Sequence, residues 1–342
     1  MKMSDITIVF QGVFKPYVTR DGEAFARNIA FTRKVLPGAR VILSTWEGAD
    51  IGPRLKVDKV VLSEDPGPLA PLKLSDTKPN NCNRQLRTTQ AGMAAVETPY
   101  AVKMRTDCWL EHAGFLDFAA EQQKRDGGRE RLLACSFFTL DPTMFERLPY
   151  HISDWFHFGR TETLRQYWSA PPLAPEQARH YETLAHTPDA TLFERRFRAA
   201  FAVEQHLCLP FAAARGYGCP RFLNDATPAV LSEHARFVAN ETMLLDPWQI
   251  GLVFDKYRWA GGSSFQRMNN LMHLDWLALQ DKPLAMQEDA AGLRLILAER
   301  ARQKAAMRAA FRRSRPLHAL LFDPGTKGRH VRSAARFVKR FL

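Results

Sequence analysis

The sequence predicts an α/β fold: a mostly parallel sheet flanked by helices, followed by a basic helical tail. Short apolar segments alternate with helix-like segments in the N-terminal part, and each apolar segment ends in polar or turn-forming residues. Strands that alternate with helices pair in parallel through right-handed crossovers. The length of 342 residues and the apolar content of 46% suit one large folded domain or two smaller ones.

The N-terminal elements follow one another in a regular order. Residues 6–10 are predicted as a buried strand that ends at Gln11 and Gly12, and residues 23–35 as a helix that ends at Pro37. Further strands are predicted at 40–44, 59–62 and 100–104, with a helix over 83–97 before the last of them.

The later elements are less regular. Strands are predicted at 132–140 and 155–159, helices at 191–208 and 290–315, and short strands or turns at 243–245, 252–254 and 257–259. Residues 171–188 hold four prolines and are predicted as a loop with one short helix at most. We assign residues 1–260 to a catalytic domain and residues 261–342 to the tail.

In a parallel sheet the ligand binds beyond the carboxyl ends of the strands, so the residues that follow each strand are the first site candidates. Gln11 and Gly12 allow either a close backbone approach to a nucleotide or a tight turn. Thr45, Trp46 and Glu47 follow the second strand. Trp46 could stack on a base and Glu47 could accept from ribose hydroxyls, or Trp46 could simply fill the sheet edge.

Two further groups extend this candidate site. Asn81, Asn83 and Arg84 lie where a helix begins, and helix amides with an arginine suit a phosphate; the alternative is that Asn83 only caps the helix. Arg105 and Asp107 follow the fourth strand. Asp107 could bind Mn²⁺ or Mg²⁺ that bridges a diphosphate, with Arg105 on the phosphate, or the two could form a structural ion pair.

Several segments, in order, resemble the WavE family of lipopolysaccharide-synthesis proteins. The most specific are the block from Leu36 to Gly48, which contains Ser44-Thr45-Trp46-Glu47, and the block Asn81-Cys82-Asn83-Arg84-Gln85. The resemblance spans roughly residues 6–245 and leaves the basic tail out. It implies a GT-A-like fold and a role in building a lipopolysaccharide core. GT-A enzymes often place Asp-x-Asp after this strand, and here Arg105 replaces the first Asp.

The reaction that the resemblance implies is sugar transfer from a nucleotide-sugar donor to a lipid-linked or core oligosaccharide. In GT-A enzymes that invert the anomeric centre, a late carboxylate acts as general base, and Glu204 is the candidate. Asp154 is a second catalytic candidate. His151 and Trp155 are candidates for acceptor binding because polar groups beside aromatic rings suit sugars; an aromatic core is the alternative.

Two rival functions remain. A nucleotidyltransferase acting on sugar phosphates would also use such a sheet, but it would normally show a Gly-rich, basic first loop, which residues 11–15 lack. A non-catalytic assembly factor could retain the fold and only bind nucleotide.

The net charge of +12 is concentrated at the C-terminus. Residues 299–342 contain 13 Lys and Arg but only 2 acidic residues, so the body is nearly neutral and we expect no nucleic-acid partner. On a helix over 329–342, Val331, Val338 and Phe341 share one face and Arg332 and Arg336 the other. This predicts binding to an anionic membrane surface; docking on the protein's own core, or a basic arm for nucleic acid, is the alternative.

The predicted location is cytoplasmic, peripheral on the inner face of the membrane. The apolar run at 6–10 is too short for a secretory signal, and no stretch approaches the roughly 20 apolar residues of a membrane span. The five cysteines form no CxxC motif and are odd in number, so we interpret them as reduced thiols.

Overall fold

A seven-stranded mixed sheet forms the centre of the protein, in the order β3-β2-β1-β4-β7-β6-β8. The computed structural model describes residues 1–19, 24–53, 55–74, 76–280 and 290–322. The strands are β1 (Ile6–Gln11), β2 (Arg40–Trp46), β3 (Lys59–Ser63), β4 (Tyr100–Arg105), β6 (Leu132–Cys135), β7 (Phe156–Arg160) and β8 (Thr242–Leu245). Two short strands, β5 (Trp109–Leu110) and β9 (Leu252–Val253), pair separately. The predicted mostly parallel α/β sheet is confirmed.

Only β7 runs against the others. It pairs antiparallel with both β4 and β6, whereas β1, β2, β3 and β4 are mutually parallel and β6 is parallel to β8. Phe156, the first residue of β7, therefore faces Met104 near the end of β4. The residues just before β7 consequently lie at the same edge of the sheet as the residues just after β1, β2 and β4.

Helices cover both faces of this sheet. They are α1 (Phe25–Val35), α2 (Cys82–Ala94), α3 (Gly114–Arg125), α4 (Thr161–Tyr167), α5 (Pro175–Ala178), α6 (His180–Thr183), α7 (Val203–Ala214), α8 (Pro228–Glu241), α9 (Pro247–Ile250), α10 (Arg258–Gly262), α11 (Ser264–Asn269), α12 (His273–Ala278) and α13 (Ala290–Phe322). All six residues of β1 are buried, which is the pattern of a parallel strand covered on both sides. Gly92 lets α2 approach closely, since a Cβ there would lie 2.5 Å from Cγ1 of Val9.

The helix predicted over 191–208 begins too early, and only its last part, 203–208, is helical. Residues 191–202 are irregular apart from one 3-10 turn (Glu194–Arg196), and α7 begins only at Val203. Glu194 explains this: its carboxylate is fully buried and binds Arg147, Asn224 and the Thr191 amide. A buried carboxylate needs these partners, and the loop conformation supplies them. Helix α8 was not predicted. Residues 257–259, expected as a strand or turn, instead join the end of a 3-10 turn (Asp255–Tyr257) to the start of α10.

The basic helix predicted over 290–315 is present as α13, and it is docked on the body. Lys304 is buried, and its Nζ donates to Asp141 at 2.7 Å and to Asp275 at 2.9 Å. The α/β body continues past residue 260, because Trp276 of α12 is buried and its Nε1 donates to the Thr242 carbonyl of β8. The membrane helix predicted over 329–342 lies outside the described residues.

Within the described ranges, no helix has the length and apolar character that a bilayer crossing requires. All five cysteines are free, and four of them are buried.

The pH dependence of stability should reveal the buried His157 of β7. Its Nε2 donates to the Ser153 carbonyl at 2.8 Å, and its Nδ1 accepts from Nε1 of Trp168 at 3.0 Å, so the ring is neutral. Burial, assisted by the charge of Lys103, lowers the pKa of His157 to about 3 from its ordinary value of 6.5. The stability contribution is full above the unfolded pKa and falls as acid protonates the unfolded chain, by up to about 1.4 kcal/mol per pH unit.

Urea unfolding between about pH 6.5 and pH 4.5 measures this slope. The variant His157→Asn retains one donor and one acceptor but does not titrate, so its slope should be shallower than that of the wild type. Equal slopes would show that His157 is not a neutral buried group.

Candidate functional site

A cleft of about 580 Å³ lies at the carboxyl ends of β1, β2 and β4. It contains seven of the residues that the sequence singled out, drawn from three strand exits and from the start of α2: Gln11, Gly12, Trp46, Asn81, Arg84, Arg105 and Asp107. These side chains are far apart in the sequence and share this one edge because the four N-terminal strands are parallel.

The end of β1 forms the floor of the cleft. Gln11 is buried, and its Oε1 accepts from the hydroxyl of Thr88 on α2 at 3.0 Å. Gly12 has a φ of +116°, a conformation that an L side chain rarely adopts, and its amide donates to the Ser44 carbonyl of β2. The glycine therefore lets the chain leave the sheet without a side chain entering the cleft.

Arg105 and Asp107 form a bidentate ion pair at the end of β4. Arg105 Nε donates to one carboxylate oxygen at 2.9 Å, and Nη2 donates to the other at 2.8 Å. Nη1 of Arg105 lies 3.8 Å from Asp154, and its guanidinium lies over the ring of Phe254. Burial opposes the charge of Arg105, but the attraction of Asp107 and Asp154 outweighs it and raises the pKa of Arg105 well above its ordinary value.

A second arginine stands at the start of α2. Arg84 donates to both oxygens of Asp65, at 2.8 and 2.6 Å, and to Oδ1 of Asn81 at 3.1 Å. The hydrogen bonds from Arg84 are the largest cause that lowers the pKa of Asp65. Asp65 follows β3 and also accepts from the Gly67 amide, so a short turn holds it against the helix.

Asp154 lies directly behind Arg105. Its side chain is only 7% exposed, and it accepts from Nε2 of Gln85 on α2. Its backbone carbonyl accepts from the fully buried Lys103 of β4. Burial lowers the pKa of Lys103 to about 8. Because the Asp154 side chain is itself buried, we interpret Asp154 as a positioning residue for Arg105 rather than a group that contacts a substrate.

His151 and Glu204 form a second charged pair beside this cleft. His151 Nε2 lies 3.2 Å from the carboxylate of Glu204, and Nδ1 lies 2.9 Å from the Phe138 carbonyl, so both ring nitrogens donate. Burial lowers the pKa of His151, but Glu204 outweighs it and the net shift is upward. In Glu204, burial raises the pKa and His151 reverses this, so the net shift is downward. Both shifts favour an imidazolium beside a carboxylate.

Backbone strain surrounds His151. Phe138 (φ 63°) and Tyr150 (φ 62°) are the non-glycine residues with positive φ in the described chain, and they are the residue that binds His151 Nδ1 and the residue that precedes it. Such conformations cost about 1–3 kcal/mol each and cluster at functional sites. The fold thus holds His151, and through it Glu204, in a fixed position.

Two residues connect this pair to the cleft. Cys82 begins α2 next to Asn81; burial raises the pKa of its thiol to about 12, and the charges of Glu204 and Asp154 both add to the shift. The pKa of Tyr257 is raised by burial and also responds to the charges of Arg105, Asp107, Asp154 and Glu204. The charge of Glu204 therefore acts on the same residues, Cys82 and Tyr257, as the charged groups of the cleft.

Three predicted donor residues do not line the cleft. Thr45 is fully buried within the sheet, and Glu47 is exposed beyond it. Asn83 faces the opposite way: its amide donates to the Leu173 carbonyl at 3.0 Å and its oxygen accepts from the Leu173 amide at 2.7 Å. Nor does Asn83 cap the helix, since Asn81 occupies the cap position. The prediction that these three residues bind the donor is therefore corrected: Thr45 and Asn83 have structural roles, and Glu47 lies on the surface.

The prediction that Trp155 binds the acceptor is also corrected. It is buried, and its ring contacts Phe254 at 4.6 Å, Phe138 at 5.0 Å and Tyr257 at 5.1 Å between centroids. This is the aromatic core that the sequence left open as an alternative. Phe138 and Tyr257 are the partly exposed members of the cluster, and the charges of both pairs act on Tyr257.

Two basic residues that line the cleft, Lys78 and Lys256, were not predicted from the sequence. Lys78 lies in the loop between β3 and α2, and Lys256 lies in a 3-10 turn (Asp255–Tyr257) far along the chain. Neither forms an ion pair among the described residues. No local pattern marks either lysine, because only the tertiary fold brings them to the β4 exit.

A divalent cation does not fit the groups present at this site. Arg105 occupies both oxygens of Asp107, and Arg84 occupies both oxygens of Asp65. In the part of the chain that the structure describes, no three His, Cys, Asp or Glu side chains converge as a metal site. Asp107 as arranged here is an anchor for Arg105 rather than a metal ligand.

The sheet order and the cleft define an α/β protein with a mostly parallel sheet, helices around it and a cleft at the strand exits. A model of the WavE lipopolysaccharide synthesis family matches residues 6–306, and the chain belongs to that family. The resemblance seen in the sequence is confirmed, and membership implies a transferase role in lipopolysaccharide synthesis. No curated protein matches the sequence significantly.

Two solved structures show a distant similarity. One is 2-C-methyl-D-erythritol 4-phosphate cytidylyltransferase of Francisella tularensis, 8% identical, with a TM-score of 0.28 over 48% of this chain and 76% of the other. The second is 4-diphosphocytidyl-2C-methyl-D-erythritol synthase of Anaerococcus prevotii, 10% identical, with a TM-score of 0.29 over 55% and 81% of the two chains.

Neighbouring residues of α2 should separate stability from ligand binding. Asn83→Ala leaves the amide and carbonyl of Leu173 without partners, so we expect a loss of about 1–3 kcal/mol in unfolding free energy. Its affinity for inorganic pyrophosphate should not change. Arg84→Gln should instead weaken pyrophosphate binding several-fold with a small effect on stability.

Urea unfolding and calorimetric titration measure the two quantities for each variant. Loss of pyrophosphate binding in a folded Asn83→Ala protein would show that Asn83 contributes to the binding site after all.

Proposed function

We propose that this protein is a glycosyltransferase that moves a sugar from a nucleotide-sugar donor to a lipopolysaccharide core or another cell-surface oligosaccharide. The observation that carries the proposal is the cleft at the strand exits, where basic side chains outnumber acidic ones. A donor with two linked phosphates matches such a lining, because charge-assisted hydrogen bonds from arginine are strong and directional. Family membership supports a transferase role.

The base and sugar of the donor would extend from the phosphates in two directions. Trp46, half-buried at the edge of the cleft, offers a ring face for the base. The sugar would then lie toward Tyr257 and Glu204, since the charge of Glu204 acts on Tyr257. In this arrangement the acceptor enters from the side of Glu204, whose side chain is 21% exposed.

The chemical step needs a base and a stabilised leaving group. The acceptor hydroxyl oxygen attacks the anomeric carbon, while the bond from that carbon to the phosphate oxygen breaks and its electron pair leaves with the nucleoside diphosphate. Glu204 takes the hydroxyl proton. The cleft arginines and lysines stabilise the charge that develops on the leaving phosphate.

The acceptor is proposed to be held at the inner face of the cytoplasmic membrane. The supporting feature is the basic segment from residue 299 onward, which carries nearly all of the net charge. A basic surface is attracted to anionic lipid headgroups, and this would bring the cleft close to a lipid-linked acceptor.

Donor identity is open to a direct screen. Thermal shift against a panel of nucleotide sugars, followed by transfer assays with lipopolysaccharide core acceptors, should reveal one donor that raises the melting temperature and is consumed. Absence of both binding and transfer across the panel would contradict the proposal. Binding without transfer to any acceptor would favour the assembly factor.

The variant Glu204→Gln tests the proposed base. It retains the hydrogen-bonding shape but cannot take a proton, so we expect the transfer rate to fall by a factor of about 10²–10⁴. Donor affinity, measured by calorimetry, should stay within about twofold, since Glu204 does not line the cleft proposed for the phosphates. Near-normal turnover would remove Glu204 from the reaction.

His151→Gln tests the positioning of Glu204. Glutamine can still donate to the carboxylate but does not titrate. In the wild type, raising the pH through the raised pKa of His151 should remove the Nε2 proton and lower the transfer rate. The variant should lose this alkaline limb while keeping its donor affinity, and an unchanged pH profile would exclude the positioning role.

A further inference from the structure

The acidic groups of the cleft are already occupied by protein cations. The ion pairs of Asp107 with Arg105 and of Asp65 with Arg84 each use both carboxylate oxygens, with distances between 2.6 and 2.9 Å. Asp154 accepts from Gln85 and lies 3.8 Å from Arg105. A divalent cation would have to displace a guanidinium from a carboxylate before it found a ligand.

The net charge of the side chains that line the cleft also argues against a bound divalent cation. Four basic side chains line the cleft, Lys78, Arg84, Arg105 and Lys256, against two acidic ones, Asp65 and Asp107, so the surplus is two positive charges. A nucleoside diphosphate sugar carries one negative charge on each phosphate. The protein alone therefore balances the donor, without an added cation.

Arg105 has the properties that this role requires. Its side chain is 30% exposed and faces the cleft, while Asp107 fixes two of its nitrogens and the Phe254 ring supports its plane. Nη1 is 3.8 Å from Asp154, too long for a hydrogen bond, and so remains able to donate to a ligand. An arginine held in this way is pre-organised for an anion.

We infer that this protein binds the diphosphate of its donor without a divalent cation, and that Arg105, with Lys78 and Lys256, supplies the positive charge instead. The inference rests on the proposed function and specifies its chemistry: the leaving nucleoside diphosphate is stabilised by guanidinium and ammonium groups. Arg105 is thereby a phosphate-binding residue and Asp107 a positioning residue.

Calorimetric titration of the full chain with inorganic pyrophosphate tests this inference. Affinity in EDTA should equal affinity in Mn²⁺ within about twofold. Arg105→Gln should weaken binding at least about tenfold, and Arg105→Lys less, because lysine keeps the charge but loses the fork. Arg160→Gln is the matched control: Arg160 lies at the opposite end of β7, paired with Glu130, and should have no effect.

Removal of Arg105 could unfold the protein by leaving Asp107 and Asp154 without a cation. The double variant Lys78→Gln, Lys256→Gln avoids this problem, since neither lysine has a carboxylate partner in the described chain, and it should also weaken binding about tenfold or more. Binding that requires Mn²⁺, or normal affinity in the double variant, would overturn the inference and leave the glycosyltransferase proposal standing. No pyrophosphate binding under either condition would overturn both.

Discussion

The ion pair between Arg105 and Asp107 is the interaction on which the rest of the site depends. A guanidinium at the edge of a buried sheet must have anionic partners, since leaving it unpaired would cost several kcal/mol. Asp107 supplies two hydrogen bonds, and Asp154 supplies a second negative charge from the segment before β7. Arg105 thus joins the exit of β4 to the entry of β7, and the cleft takes its shape from that junction.

The direction of β7 makes the junction possible. Because β7 is antiparallel to β4, residues 151–155 arrive at the strand-exit edge instead of the opposite one. The buried Lys103 of β4 then holds this segment in place, because its Nζ donates a hydrogen bond to the Asp154 backbone carbonyl. A buried ammonium with a lowered pKa costs stability, and its retention in the middle of β4 is explained by its hold on the segment that carries Asp154.

Much of the fold, and part of the site, could be predicted from the sequence. Apolar runs such as that of β1 predicted the sheet, and the strand-exit rule led to Arg105 and Asp107, although not to their mutual pairing. Local patterns could not tell that Asn83 faces Leu173, since adjacent helix residues point in different directions. Lys78 and Lys256 could not be predicted as site residues for another reason. They are far apart in the sequence, and only the tertiary fold brings them into one cleft.

A crystal structure with a nucleoside diphosphate bound, grown in EDTA, would show whether the Arg105–Asp107 pair binds the phosphates without a cation. We expect both phosphates to lie within hydrogen-bonding distance of Arg105 and of the ammonium groups of Lys78 and Lys256, with no ion between them and the ion pair to Asp107 intact. Phosphates bound outside this cleft, or Asp107 turned away from Arg105, would contradict this expectation.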